Sequence, residues 1–462
     1  MALWLLLSGA LAINASSKPV ALVGATLIDG TGGASIPHAV VVVRGGKIEC
    51  AGRACKVPRD ATRRDLSGSW IAPGLIDAHV HFSQTGWADG RPDALDVRDR
   101  HPYEQVAADL ATHPERFLRA QLCSGITSVF DNGGYAWTIE MARREREDPG
   151  SPRVAAAGPL LSTIDFWLNL PAERQFIHLT DPDVARGGVR YLAARGADAI
   201  KLWYIVTPEQ SVEASRPAVT AAAEEAKKLG LPLIVHATGL AEAKVALKVG
   251  AHLLVHSVDD LPVDDEFLSL AKQSATVYCP TLTVFSGYAR LAHSVGSTSP
   301  WKPDDPNGCV DEKTVAKLGE SEALRPMEES RLASLDKRVA TETAVMNSNL
   351  KRVADAGIPI AMGTDAGNPL TLHGPSIYAE MEAMQAAGMT PMQVLVASTH
   401  GGSLAMGVEK ITGTIEKGKS ADLIVVGADP TEDIANLRKL RFVMRAGVLR
   451  SVEELRARPP SR

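Results

Sequence analysis

Between positions 75 and 362 the chain repeats one pattern eight times, a short apolar run followed by a segment rich in Ala, Glu and Lys with helical spacing. The runs cover 75–80, 126–130, 153–157, 199–203, 231–236, 253–256, 275–279 and 358–362. They are too short for buried helices, and their alternation with helical segments is the signature of β/α units and a parallel sheet. Eight such units predict an α/β fold closed into a (β/α)8 TIM barrel. The longest interruption lies between the seventh and eighth runs, includes SVGSTSPWKPDDPNGC and returns to helical spacing. An insertion at about 284–341 is therefore expected as a partly ordered cap over the barrel mouth.

The flanks have a different texture. Residues 18–73 (VALVGATLIDG, AVVVVRGGKIECAG) and 409–455 (TGTIEKGKSADLIVVGADP, LRFVMRAGVLRS) are Val- and Ile-rich with glycine turns. Such segments form hairpins, and 462 residues exceed what one core holds. Both ends together are expected to build a small β-sandwich domain that the barrel, 74–408, interrupts. The opening MALWLLLSGALAINASS has a short apolar stretch and Ala10-Leu11-Ala12, the pattern of an export signal over 1–17. That predicts a secreted or periplasmic protein. No Lys or Arg precedes the apolar stretch, so a cytoplasmic protein with an N-terminal extension is the alternative.

No segment offers about 20 uninterrupted apolar residues, so no membrane span is expected. A net charge of −5 gives no basic excess suited to nucleic acid. Small molecules are the expected partners, and a homo-oligomer stays open. The five cysteines lie far apart except Cys50 and Cys55, which predicts neither a disulfide framework nor a zinc ribbon. Any metal would be bound without thiolates.

Five of the runs' ends carry six polar residues: His79 and His81 in IDAHVHF, Lys201 in ADAIKLW, His236 in PLIVHAT, His256 in HLLVHS and Asp365 in IAMGTDAG. Positions i and i+2 of a strand share a face, so His79 and His81 point the same way. Neutral imidazoles suit zinc. Lys201 sits among apolar neighbours, where an amine pairs with a carboxylate or loses its proton and takes up carbon dioxide as a carbamate able to bridge two cations. Asp365 can touch a metal and accept a proton from water. His252 belongs to the opposite end of its strand, and His101, His178, His293 and His400 read as surface or helix residues. Asp131 is expected to satisfy backbone donors in the DNGG turn.

The motifs APGLIDAHVHF, GITSVFDNGG, ADAIKLW, LIVHA, LLVHS, GTDAG and GTIEKGKSADLIVV resemble the amidohydrolase superfamily, in its imidazolonepropionase-like and prolidase-like branch. The resemblance runs from about 20 to 448. It implies two divalent metal ions, zinc first among them, with His79, His81 and Asp365 on the buried ion and His236 and His256 on the exposed one. Lys201, as N6-carboxylysine, would bridge them. A hydroxide shared by the metals would attack an amide-type C–N bond of a dipeptide, N-acyl amino acid or cyclic amide, with Asp365 as general base and acid.

Related deaminases carry a glutamate shortly after the histidine of the fifth strand and lack the lysine; here the stretch from His236 reads HATGLAEA and Lys201 is kept, which disfavours deamination. Dipeptidase-like relatives often have a glycine-rich stretch after the lysine, whereas LWYIVTPEQ stands here and points to Trp203 or Tyr204 in a more aromatic pocket. His373 resembles a substrate-near position; Tyr278 and Thr281 are further candidates. The alternatives are an esterase or lactonase using the same centre, and a barrel that binds metal without catalysis.

Overall fold

A computed structural model describes residues 18–165, 175–208, 210–299 and 301–457. The expected export signal at 1–17 lies outside them. The first six strands are β1 (Val20–Val23), β2 (Thr26–Leu27), β3 (Val40–Arg44), β4 (Lys47–Gly52), β5 (Thr62–Asp65) and β6 (Trp70–Pro73). β7 (Leu75–Val80), β8 (Ile126–Asp131) and β9 (Arg153–Ala156) follow. Then come β10 (Leu160–Ser162), β11 (Phe176–His178), β12 (Ile200–Trp203), β13 (Leu233–His236), β14 (Leu253–Val255) and β15 (Val277–Cys279). The last three are β16 (Leu423–Val426), β17 (Leu440–Arg445) and β18 (Val448–Ser451).

The chain ends form two sheets, ordered β4-β3-β1-β5 and β18-β17-β16-β6-β2. β6 and β16, from opposite ends of the chain, pair antiparallel with Pro73 opposite Leu423. The two sheets share one cluster of buried side chains, among them Leu22, Val41, Ile71 and Val425. Alternation on β16 is complete: Leu423 and Val425 enter this cluster while Ile424 and Val426 enter the larger core under the β/α units.

The central strands are all parallel, in sheets ordered β7-β8-β9 and β11-β10-β12-β13-β14-β15. The class is α/β, as expected. The run at 153–157 does not end a strand once and for all: Gly158, at φ +71°, and Pro159, which has no N–H, break it, and the chain resumes as β10. β11 was not expected. The predicted eighth strand at 358–362 is also different. Tyr278 N–H donates to the Pro359 carbonyl, Ala361 N–H to Tyr278 and Ala78 N–H to Met362, but Met362 N–H donates to Ala397 in the helical turn Ala397–Gly401. Only isolated bridges therefore remain, Tyr278 to Ile360 and Val80 to Ala366.

The segment after β15 holds helices Val284–Ser294 and Glu312–Gly319 and leads into the 27-residue helix Glu329–Asp355. Leu291, Val295, Val310 and Leu318 pack there against Trp87 and Val97 from the loop after β7. The cysteine expectation is overturned. Cys50 bonds Cys55, and Cys123 bonds Cys309 across 186 positions, because the fold brings the latter Cα atoms to 5.5 Å. Cys123 ends the helix before β8, so this bond fastens the insertion to the β/α body. Among the described residues no helix is long and apolar enough to cross a membrane.

Candidate active site

Six side chains from four parallel strands and the 358–366 segment meet at the carboxyl ends. The Nε2 atoms of His79 and His81 lie 3.4 and 3.0 Å from Asp365 Oδ1, and His256 Nε2 lies 4.0 Å from Oδ2. His236 stacks edgewise on His256 with centroids 4.2 Å apart, and Lys201 Nζ is 3.5 Å from His79 Nε2. Ligand atoms of His79, His256 and Asp365 fall within 4.8 Å of one another.

Alternation explains most of this convergence and fails in one instructive place. Ala199, Lys201 and Trp203 face inward from β12, and Ile234 and His236 from β13. On β14, Leu253 and Val255 face inward and Leu254 outward, so strict alternation would send His256 out. Its φ of +74° turns it in instead. Asp365 (φ +60°) and Thr281 (φ +45°) are also left-handed. Such non-glycine residues cost about 1–3 kcal/mol each and persist where surrounding contacts over-determine them. Those contacts are present: Asp365 N–H donates to the His79 carbonyl at 2.7 Å, and His256 Nδ1 and Thr281 Oγ1 are 2.6 Å apart. Gly367, at φ +108°, flanks Asp365 where a Cβ would stand 2.4 Å from the His81 carbonyl.

A deeper carboxylate braces the site. Asp77 accepts from Thr364 N–H and Oγ1, at 3.0 and 2.6 Å, and from His79 N–H at 3.2 Å, which couples the backbone under His79 to the residue before Asp365. Asp131 accepts from Gly133 N–H in the DNGG turn, as expected of it. Burial pushes the Asp77 carboxyl up to about 7 and that of Asp131 to about 6.

Burial also keeps the imidazoles neutral, holding His79 and His236 well below their ordinary range and His256 at about 4. It pulls the Lys201 amine down to about 7. Burial alone would raise Asp365, and it is positive charge at the positions of the surrounding rings, His79 foremost, that holds it well below the usual carboxylate range.

This donor set fits a divalent cation. Gly133 O lies 2.6 Å from His81 Nδ1, and a carbonyl only accepts, so Nδ1 carries a proton and Nε2 is the atom left to offer a lone pair beside the Asp365 carboxylate. Two electron-rich atoms 3.0 Å apart call for a cation beside them. Asp365 Oδ1 is buried without a hydrogen-bond donor, as a ligand atom would be.

A cavity of about 500 Å³ opens over the cluster and is lined by His79, His81, Lys201, His236, His256, Asp365 and Trp203. Three other candidates lie elsewhere. Tyr204 is one residue out of phase with Trp203 and faces the helices, its hydroxyl donating to Val212 O. Tyr278 is likewise on the outer face of β15, edge-on to Phe267. His373 is stacked flat on Phe82 at 5.1 Å and tilted on Phe117 at 4.5 Å, and burial takes it down to about 3, which makes it a neutral packing residue. Arg91, Tyr288 and Asn368 were missed: Asn368 Oδ1 accepts from both Arg91 and the Tyr288 hydroxyl on the cavity wall. They come from a loop and a helix whose sequence carries no periodic signal of a site.

His101 is half-buried against Glu320 and Trp87, His178 lies on β11 and not on a helix, and His293 is an exposed helix residue paired with Asp336. His252 Nε2 meets the carbonyls of Leu404 and Ala405, away from the cluster.

A sequence profile of the amidohydrolase family matches residues 70–450. The chain is 25% identical over 457 residues to the ochratoxinase of Aspergillus niger, covering 90% of this chain and 82% of the relative. It is 25% identical over 439 residues to the imidazolonepropionase of Ralstonia nicotianae, covering 88% and 90%. Among solved structures, a Xaa-Pro dipeptidase with methionine bound in its active site superposes with a TM-score of 0.71 at 23% identity, over 94% of this chain and all of that one.

Proposed function

Because this chain belongs to the amidohydrolase family, we propose that it hydrolyses an amide-type C–N bond of a small molecule and depends on divalent metal ions to do so. The observation that carries the reading is the meeting of four imidazoles, one amine and one carboxylate at the strands' carboxyl ends, in a cavity large enough for a drug-sized molecule. His79, His81 and Asp365 would hold one ion and His236 and His256 a second. Lys201 would join the two as a carbamate, since an amine titrating near 7 is partly unprotonated at neutral pH and able to take up carbon dioxide. Bound ions would polarise the scissile carbonyl and lower the pKa of water, zinc being the ion this donor set suits best.

The chain's own residues do the rest. Asp365, kept ionised by positive charge in the cluster, accepts a proton from the attacking water and passes it to the leaving nitrogen. Gly133 O fixes the His81 tautomer, and Thr281 Oγ1 orients the His256 ring. Trp203 and Phe176 exclude water from one wall.

The backbone contacts of 358–366 to β15 and β7 support an eight-stranded barrel of the (β/α)8 kind, whose active sites sit at this end. The two chain-end sheets over a common cluster support a composite β-sandwich domain, 18–73 with 409–455, beside a barrel over 74–408. The cavity-lining Val284, Phe285, Tyr288, Leu335 and Val339 support a cap in the 284–341 insertion. Two disulfides suit an oxidising compartment and support export.

The test is metal analysis of the purified protein with turnover of paired amides and esters after zinc loading. About two ions per chain with amide turnover is expected. Fewer than one tightly bound ion per chain would refute the binuclear reading, and ester turnover alone would replace the amidase by an esterase.

A further inference from the structure

We propose that the protein selects amides carrying a bulky uncharged apolar group and discriminates against substrates with a free carboxylate or ammonium; this rests on the hydrolase reading above. The cavity wall beginning at the centre is apolar. Leu160, Phe176, Trp203, Ile205, Phe285 and Val339 line it. Trp203 lies edge-on to His236 at 6.2 Å and against Phe176 at 4.9 Å, so the aromatic surface starts beside the reacting position. A ring or branched chain placed there loses water on contact with these side chains.

The charges on the same cavity are already matched. Apart from Lys201, its cations among the described residues are Arg91 and Arg338. Arg91 grips Asp93 through Nε and Nη2, at 2.8 and 2.7 Å, and turns Nη1 to Asn368. Arg338 donates from Nε to Glu342 at 2.6 Å, and two-thirds of its side chain is in water, where its charge is screened. A substrate carboxylate would find each guanidinium facing a protein carboxylate. Outside the cluster of six, the buried polar atoms lacking partners on the described lining residues are acceptors, Gln84 Oε1 and Glu342 Oε2. Acceptors call for N–H donors such as those of an amide, and they repel a carboxylate. An ammonium would reach a Glu342 carboxylate whose Oε1 is held and whose charge is offset by Arg338, leaving it Oε2 alone, and would have to shed its hydration beside the apolar wall.

The experiment uses one skeleton with its charges varied. Zinc-loaded protein is given 3-phenylpropanoyl-glycinamide, its carboxylate analogue 3-phenylpropanoyl-glycine, its ammonium analogue phenylalanyl-glycinamide, and acetyl-glycinamide. The neutral aromatic compound is expected to exceed both charged analogues in kcat/KM by about ten-fold or more, and acetyl-glycinamide by about a hundred-fold, the factor for burying one phenyl ring. In Trp203→Ala the last ratio should fall to about ten. A charged analogue that matches or exceeds the neutral one, or acetyl-glycinamide within about three-fold, overturns the proposal. Calorimetric binding of the same four compounds to Asp365→Asn protein gives an independent ranking. If none is turned over, the hydrolase reading fails, while that binding order still decides the selectivity.

Discussion

Replacing Lys201 by methionine should stabilise the metal-free protein while abolishing its turnover. The residue is 1% exposed, and burial is the largest influence bringing its amine's pKa from 10.5 to about 7. At about 1.36 kcal/mol per pKa unit, that interval corresponds to about 5 kcal/mol, an upper bound on the cost of keeping an ammonium there. In the unfolded chain the lysine keeps its proton up to about pH 10.4; in the folded protein it releases it near 7. Below pH 7 both states are protonated and the full cost is present. Between 7 and about 10.4 the unfolded state binds the extra proton, so wild-type stability rises with pH, and above that range the cost is gone. Methionine fills a similar length with no charge. The variant's advantage should therefore be several kcal/mol at pH 6 and shrink toward zero by pH 10. Urea unfolding of chelator-treated protein in carbon-dioxide-free buffer at pH 6, 8 and 9.5 measures it. A variant less stable than wild type at pH 6, or an advantage that does not change with pH, would refute the reasoning and make Lys201 a structural ion-pair partner of Asp365.

Asp365→Asn should lower kcat by about a thousand-fold with an unchanged circular dichroism spectrum, and activity near wild type would remove it from proton transfer. Thr281→Val removes the partner 2.6 Å from His256 Nδ1, so zinc affinity measured against a chromophoric chelator should weaken about ten- to a hundred-fold; unchanged affinity would disprove the link. Joint replacement of Cys123 and Cys309 by alanine frees a 186-residue separation, worth about 5 kcal/mol of unfolded-chain entropy. In a protein this size the calorimetric midpoint should drop by roughly 5 °C. Reductant should lower the wild type by at least as much, and the variant further only by the small share of the short Cys50–Cys55 loop.

The parts of the fold legible in the sequence are those with a local period. β7, β12, β13 and β14 fall where apolar runs end in His79, Lys201, His236 and His256, because strands buried on both faces are written as continuous Val, Ile and Leu. Phase was the weak point. Trp203 and Tyr204 are neighbours of the same chemical kind, and only the position of Lys201 decides that the first faces the cavity and the second the helices. Applied to His256 the same rule misleads, since its left-handed φ is a tertiary outcome that no neighbouring residue announces. His373 reads as a ligand-like histidine, yet Phe82 and Phe117, far apart in sequence, enclose it. The Cys123–Cys309 bond is invisible for the same reason.

The double allegiance of β16 has a consequence for how the protein is made. Its residues alternate between two cores, and its partner β6 leaves the ribosome hundreds of residues earlier. Until positions 423–426 emerge, β6 presents an unsatisfied apolar edge and the module around β1–β5 lacks part of its filling. The chain thus stays open during synthesis and closes late, in a step dominated by distant contacts. A stop codon ahead of Leu423 should yield aggregate, whereas one after the last strand should yield folded protein.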